Sequence, residues 1–170
     1  MRLGTPVRRA LAAALDDALV AAPLAGVAAA NAVAARRGRP FPVSFGRHVR
    51  VLVPLLVTVP AALALGVADA RGGAPGKRVL GLATVPVGDG TLPPGASVLR
   101  QLVTTTLPWE LAHQGLWDAR DGRRTRATVL VGASYALLAV LGVQAVTGEG
   151  RTLADRLTGT RVVEVAPGAR

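Results

Sequence analysis

The chain contains no cysteine among its 170 residues. That excludes a disulfide framework and a thiolate metal site, and it leaves the redox compartment unmarked. Histidine is almost as scarce: the two, His48 and His113, are too few for a histidine metal cage. No Ser/His/Asp, Cys/His or metal constellation can be assembled from this set, so the chain reads as a non-enzyme with no metal and no cofactor. Aromatic residues are 3% of the chain, and Lys77 is its one lysine among twenty basic residues. A lone lysine in an arginine-rich chain hints that a compact, point-like charge matters there.

What the chain has in quantity is Ala, Val and Leu. Hydrophobic residues make up 51% and the mean hydropathy is +0.41. They fall in long runs rather than short alternations, a pattern of membrane helices rather than of a soluble core. The length suits one domain. The net charge of +10 would also suit a nucleic-acid binder, so the position of the charges decides. Arg36, Arg37, Arg39, Arg47 and Arg50 form one cluster, and Arg120, Arg123, Arg124 and Arg126 another, each between apolar runs. Juxtamembrane arginines meeting anionic lipid headgroups explain that placement. No helix-turn-helix, zinc or aromatic-basic motif accompanies the charge, so the expected partner is the lipid bilayer and not nucleic acid.

The first run, RRALAAALDDALVAAPLAGVAAANAV, sets two adjacent acids inside apolar sequence. Residues 10–33, at about 1.5 Å each, make a helix of roughly 36 Å, enough to cross a hydrocarbon layer of about 30 Å. A central Asp in such a helix costs about 2.5–3.5 kcal/mol, so it faces protein, a partner or a wet cavity rather than lipid. Arg9 and Asp16 are two helical turns apart and share a face, while Asp17 is turned about 100° away. Asp16 is either a structural polar group bonded to another helix or a transport or ligand residue. The acids also argue against a cleaved secretory signal, whose apolar stretch is uninterrupted.

Residues 34–50 read as a polar connection broken by Gly38, Pro40, Pro42 and Gly46, with His48 solvated. Residues 51–68 form a second span bent by Pro54 and Pro60, because neighbouring helices can satisfy the carbonyls that prolines free. GGAPGKRVLGLATV follows as a Gly/Lys-rich loop. It is not a phosphate-binding loop, since Arg71 stands where that motif needs its first Gly and Arg78 where it needs Ser or Thr.

Residues 98–117 are apolar but carry Arg100, Glu110 and His113. The segment either spans or lies in the interface, with Trp109 and Trp117 at headgroup level. Spanning is the expectation. Glu110 and His113 have the E-x-x-H spacing of carboxylate-bridged metal bundles. The further pair such a site needs is missing, so a hydrogen-bonded structural pair is expected, with a proton relay near Asp16 as the alternative. Residues 127–147 are uncharged and give the clearest span, with Gly132, Ala136 and Ala139 as a small-residue face. In the closing stretch, residues 151–163, Thr152 and Asp155 fit a capping box. Alternatively, Asp155 pairs with Lys77, Arg78 or Arg9 and clamps the segments together.

Three separated blocks, RRALAAALDD, GAPGKRVLGL with the segment Pro94–Leu102 after it, and RTLADRLTGTRVV, resemble the RDD family of membrane proteins. The resemblance matches Arg9 and Asp16 to the family's arginine and first aspartate, and Asp155 to its second; Lys77 and Arg100 fall in the middle blocks. It implies movement of an unidentified ion or small ligand, and it places Arg9 and Asp155 on one side of the membrane. Between Arg100 and Arg151 this chain is longer than the family's usual pattern and holds an additional apolar span.

The expectation is therefore an all-α polytopic transmembrane bundle, a single domain of four spans, with three as the alternative. Basic residues divide almost evenly between the two sides and do not set orientation. Cytoplasmic N- and C-termini in a bacterial plasma membrane follow from the shared side of Arg9 and Asp155. Two functions compete: a transporter using Arg9, Asp16, Lys77, Arg100 and Asp155, working as a homo-oligomer because four short helices seldom enclose a full pathway, and a non-transporting scaffold that binds a partner or lipid. Asp17, Arg78, Glu110 and His113 are secondary candidates in either case.

Overall fold

The computed structural model describes residues 4–39, 47–147 and 150–165; Pro40, Pro42 and Gly46 of the first connection lie outside them. Helix α1, Thr5–Arg36, starts five residues before the expected span, with Pro6 in its first turn and Pro23 carried inside it. A proline in the first turn removes an N–H that has no helical partner anyway, so the start costs little.

The second helical run is continuous through its prolines: α2, Arg47–Val53, passes into a π-helical turn, Pro54–Thr58, and then α3, Val59–Ala70. The Val59 N–H bonds to the Pro54 carbonyl five residues back. One widened turn absorbs the lost donor and the ring's crowding, where the sequence suggested only a bend. A third run repeats the device. Helix α5, Pro94–Gln101, enters a π-helical turn, Leu102–Thr106, and continues as α6, Leu107–Arg120, with Pro108 just beyond the bulge. Helix α7, Arg124–Val146, follows a short turn.

These four runs pack side by side in alternating directions. Gly66 of α3 lies so close to α5 that a Cβ there would sit 2.7 Å from the Val98 Cα, while Arg50 of α2 reaches Gln114 and Asp118 of α6. The run α2–α3 is therefore antiparallel to α5–α6. Helices α6 and α7 pack along their length, pinned where the Ser134 hydroxyl donates to the Pro108 carbonyl at 2.7 Å. A small interior cluster of Val20, Leu65 and Ala74, with Ala61 against it, joins α1 to α3.

Large apolar side chains point outward: Leu11, Leu15 and Leu19 on α1, and Val129, Tyr135, Val140 and Val143 on α7. An apolar exterior around a sparse interior is what a bilayer rewards, since lipid is as apolar as the side chains facing it. Among the described residues, three helical stretches are long and apolar enough to cross a membrane: Thr5–Arg36, His48–Val79 and Arg124–Val146. The run α5–α6 is too polar overall to join them on composition.

Two features were not anticipated in full. The Gly/Lys-rich stretch expected as a loop winds into a short helix, α4, Pro75–Val79, with Pro75 at its first position presetting the backbone. Two short strands also form a ribbon: β1, Leu82–Pro86, runs antiparallel to β2, Thr160–Glu164, in register from Leu82–Glu164 to Pro86–Thr160. Between α7 and β2 lies α8, Leu153–Thr158. The fold remains predominantly helical, with this ribbon tying the end of the chain to the segment after α4.

Candidate functional site

Five helix ends and the ribbon converge at one end of the bundle. Their meeting point is Asp155, fully buried at the start of α8. Its carboxylate completes a reciprocal capping box: the Thr152 hydroxyl accepts from the Asp155 N–H, and Asp155 Oδ2 accepts from the Thr152 N–H at 3.0 Å. The same carboxylate takes Arg100 Nε at 2.9 Å, Arg9 Nη2 at 3.2 Å and the Thr160 hydroxyl at 3.2 Å. The cap and the clamp, two separate readings of this residue in the sequence, coexist in one side chain. Burial pushes the Asp155 carboxyl up, but the Arg100 guanidinium and the Thr152 N–H and hydroxyl outweigh it and hold the group below its ordinary value.

Arg100 also lies 3.6 Å from Asp69, a fully buried carboxylate at the end of α3. Asp69 in turn receives Lys77 Nζ at 2.6 Å, the Thr84 hydroxyl at 3.0 Å and the Ala74 N–H at 3.2 Å. The chain's one lysine therefore neutralises Asp69 rather than Asp155, and its compact ammonium also donates to Thr84 at 2.9 Å. Arg9, Asp155, Arg100, Asp69 and Lys77 form one continuous buried ionic row through α1, α8, α5, α3 and α4.

Asp16 sits apart from that row. It is 4% exposed, and its Oδ1 accepts the Gly76 N–H at 2.8 Å. Gly76 is required there: a Cβ would stand 2.2 Å from the Ala12 carbonyl oxygen, so only a glycine lets α4 lie on the α1 backbone and aim its N–H at Asp16. Among the described residues Asp16 has no ion-pair partner, whereas the other fully buried aspartates, Asp69, Asp118 and Asp155, all have one. A cavity of about 220 Å³ opens beside it, with Arg9, Asp17, Lys77, Arg100, Gln101 and Thr104 on its polar side. Its other wall is aliphatic, from Leu138, Leu141 and Val146 of α7.

The remaining candidates fall elsewhere. Asp17 is half-buried and borders the cavity beside Thr105. Arg78 donates to the Arg71 carbonyl at the surface. Glu110 and His113 face each other at 3.6 Å in the opposite half of the bundle, where His113 shares a recess with Leu24, Val27 and Val49 rather than with Asp16. No group of three or more metal-ligating side chains is assembled among the described residues.

Sequence reasoning missed Asp69, Thr84 and Thr160. Asp69 and Lys77 belong to different helices, so no helical spacing advertises their pairing. It also missed Asp118, whose buried carboxylate takes Arg50 and Arg126 at 2.9 Å each and Arg123 at 3.6 Å at the far end of the bundle. Part of the basic loop charge thus neutralises protein.

A helical bundle with an apolar exterior, three helices long enough to cross a bilayer and charged residues turned inward is the architecture of a polytopic membrane protein. The chain belongs to the RDD family, whose model matches residues 3–159. Comparisons with curated proteins and with solved structures returned no match. Family membership and the apolar helices together point to a protein that resides in a membrane.

Proposed function

We propose that this protein is a small membrane carrier in which Asp16 binds a proton or a cationic ligand from the adjoining cavity. The observation that carries this reading is the position of Asp16: a buried carboxylate with one oxygen fixed by Gly76, no direct ion-pair partner among the described residues, and a cavity in front of it. A charge left uncompensated inside a membrane protein is costly unless it is protonated or meets a counter-ion. The neighbouring ionic row reaches Asp16 only through space, because Arg9, Arg100 and Lys77 make their direct contacts with Asp155 and Asp69.

An engineered apolar cavity of about 150 Å³ takes up benzene. A space of about 220 Å³ therefore accommodates an ion with attendant water, or a small organic molecule. The run α5–α6 crosses beside α7, giving four spans with both termini on the cytoplasmic side of a bacterial plasma membrane. Four short helices seldom enclose a full transport pathway, so the carrier works as an oligomer.

A second reading has its own observation. The ionic row joins the first helix to the last through Arg9 and Asp155, which suits a scaffold whose buried charges fix helix positions. The experiment that separates the two is flux in proteoliposomes under an imposed pH gradient, comparing the unmodified protein with Asp16→Asn. Flux that Asp16→Asn abolishes while the protein stays folded and inserted establishes the carrier. Equal flux in both removes Asp16 from the mechanism, and no flux above empty liposomes favours the scaffold.

A further inference from the structure

The seam between α2–α3 and α5–α6 holds a second polar group, far from Asp16 and unused by the proposal above. Midway between the Arg50–Asp118 contact and the Gly66–Val98 contact, both helical runs bring up a hydroxyl at a π-helical turn: Thr58 and Thr106. Both are at least nine-tenths buried, and neither Oγ1 has a hydrogen-bond partner among the described residues. From the end of the π-helical turn into α6, Thr106, Glu110, His113 and Trp117 follow one another at helical spacing along a single face. Thr58 and Gln114 face the Glu110 carboxyl, yet Glu110 Oε1 and His113 Nδ1 are also buried without hydrogen bonds. Buried polar atoms without a close hydrogen bond are unusual, because an unsatisfied buried polar group is costly.

The local chemistry says which group changes state. Trp117 Nε1 can only donate, and it donates to His113 Nε2 at 2.8 Å. That bond fixes neutral His113 as the tautomer with its hydrogen on Nδ1, the atom facing Glu110 Oε2. A second proton on His113 would have to break the Trp117 bond. Glu110 has no such constraint and no Lys or Arg paired with it among the described residues. The charged groups around it are themselves engaged or distant: Arg50 on α2 holds Gln114 and Asp118, Arg126 on α7 holds Asp118, and Arg120 on α6 lies over Trp117. The α1 segment facing this seam, residues 18–35, carries no charge.

We propose that Glu110 is a proton-binding site in its own right, reached from the Arg50–Asp118 end of the bundle. When ionised, the carboxylate is met by the His113 Nδ1–H and by the hydroxyl hydrogens of Thr58 and Thr106. When a proton from water adds to a carboxylate oxygen, the new O–H donates to a threonine Oγ1, whose hydroxyl rotates to accept it. The two threonines serve either state. This site stands whether or not Asp16 carries a proton.

The chain's two tryptophans, Trp109 and Trp117, both lie next to this group, so intrinsic fluorescence reads it without any assay of activity. Purified full-length protein in detergent is titrated from neutral to acid pH. The expected result is a one-proton fluorescence transition that is lost in Glu110→Gln, retained in Asp16→Asn, and moved to higher pH in His113→Phe, which removes a donor to the carboxylate. A transition that survives Glu110→Gln, or one that only His113→Phe removes, overturns the assignment, as does a flat titration of the unmodified protein. Should Glu110→Gln fail to fold, the near-isosteric Thr58→Val and Thr106→Val carry the test: the midpoint shifts in at least one of them, and an unchanged midpoint in both overturns the site.

Discussion

Arg100 and Asp155 stand fifty-five residues apart in the chain and 2.9 Å apart in space, and the bond between them ties α5 to α8. Arg100 also leans on Asp69 at 3.6 Å, so one guanidinium serves two fully buried carboxylates from different parts of the sequence. Its planar fork allows this where a lysine's point charge would not.

Replacing that guanidinium leaves two buried charges short of a partner. Breaking a buried ion pair by removing one member costs about 3–5 kcal/mol. Arg100→Gln is therefore expected to lower the unfolding temperature of the detergent-solubilised protein sharply, and Arg100→Lys to recover only part of the loss. A thermal midpoint within a degree or two of the unmodified protein would show that the row contributes little to stability.

Asp155 sets the acid side of the stability profile. Its carboxyl is held below the ordinary value in the folded protein, so the folded state prefers the ionised form. That contribution is complete above the ordinary carboxylate range and is lost as the pH falls through the lowered value. Thermal midpoints measured down the acid limb should fall for the unmodified protein and fall less steeply for Asp155→Asn. Parallel curves for the two would rule out Asp155 as a source of acid sensitivity.

Gly76 and Gly132 make opposite predictions from the same substitution. A Cβ on Gly76 collides with the Ala12 carbonyl at 2.2 Å, while one on Gly132 of α7 meets nothing within 4 Å. Overpacking of this kind costs about 1–3 kcal/mol, and Gly76→Ala also threatens the Gly76–Asp16 hydrogen bond. Gly132→Ala should instead be neutral or stabilising by up to about 1 kcal/mol, since alanine is the better helix former. Melting curves of the two variants side by side decide it; equal effects would contradict the α1–α4 contact.

How much of this was legible in advance follows from the range of each signal. Hydrophobic runs report on their own segment, so the apolar helices, the inward acid at Asp16 and the Thr152–Asp155 cap could all be read from nearby residues. The four-run bundle needed only those runs and short connections. What could not be read was pairing across the chain. Asp69 meets Lys77 from another helix, and β1 finds β2 at the far end of the sequence. The π-helical turns at Pro54–Thr58 and Leu102–Thr106 were hidden for a different reason: a proline announces a disturbance, but whether the helix bends or widens depends on the neighbour it packs against.

The absence of cysteine turns the number of spans into a direct measurement, because any single cysteine introduced is the one thiol to label. Asp89 lies in the turn after β1, Arg161 in β2 and Arg124 at the start of α7, and all three are exposed. If α5–α6 crosses the membrane, Asp89→Cys and Arg161→Cys react with an impermeant maleimide from one side, and Arg124→Cys reacts from the other. If that run lies in the interface, Asp89→Cys and Arg124→Cys share a side. The ribbon requires Asp89 and Arg161 to remain together, since Pro86 pairs with Thr160. The packing of α6 along α7 and the buried Asp118 at its far end favour the crossing. A run lying flat at the surface would have to leave α7, expose Asp118 and give up the Ser134–Pro108 hydrogen bond.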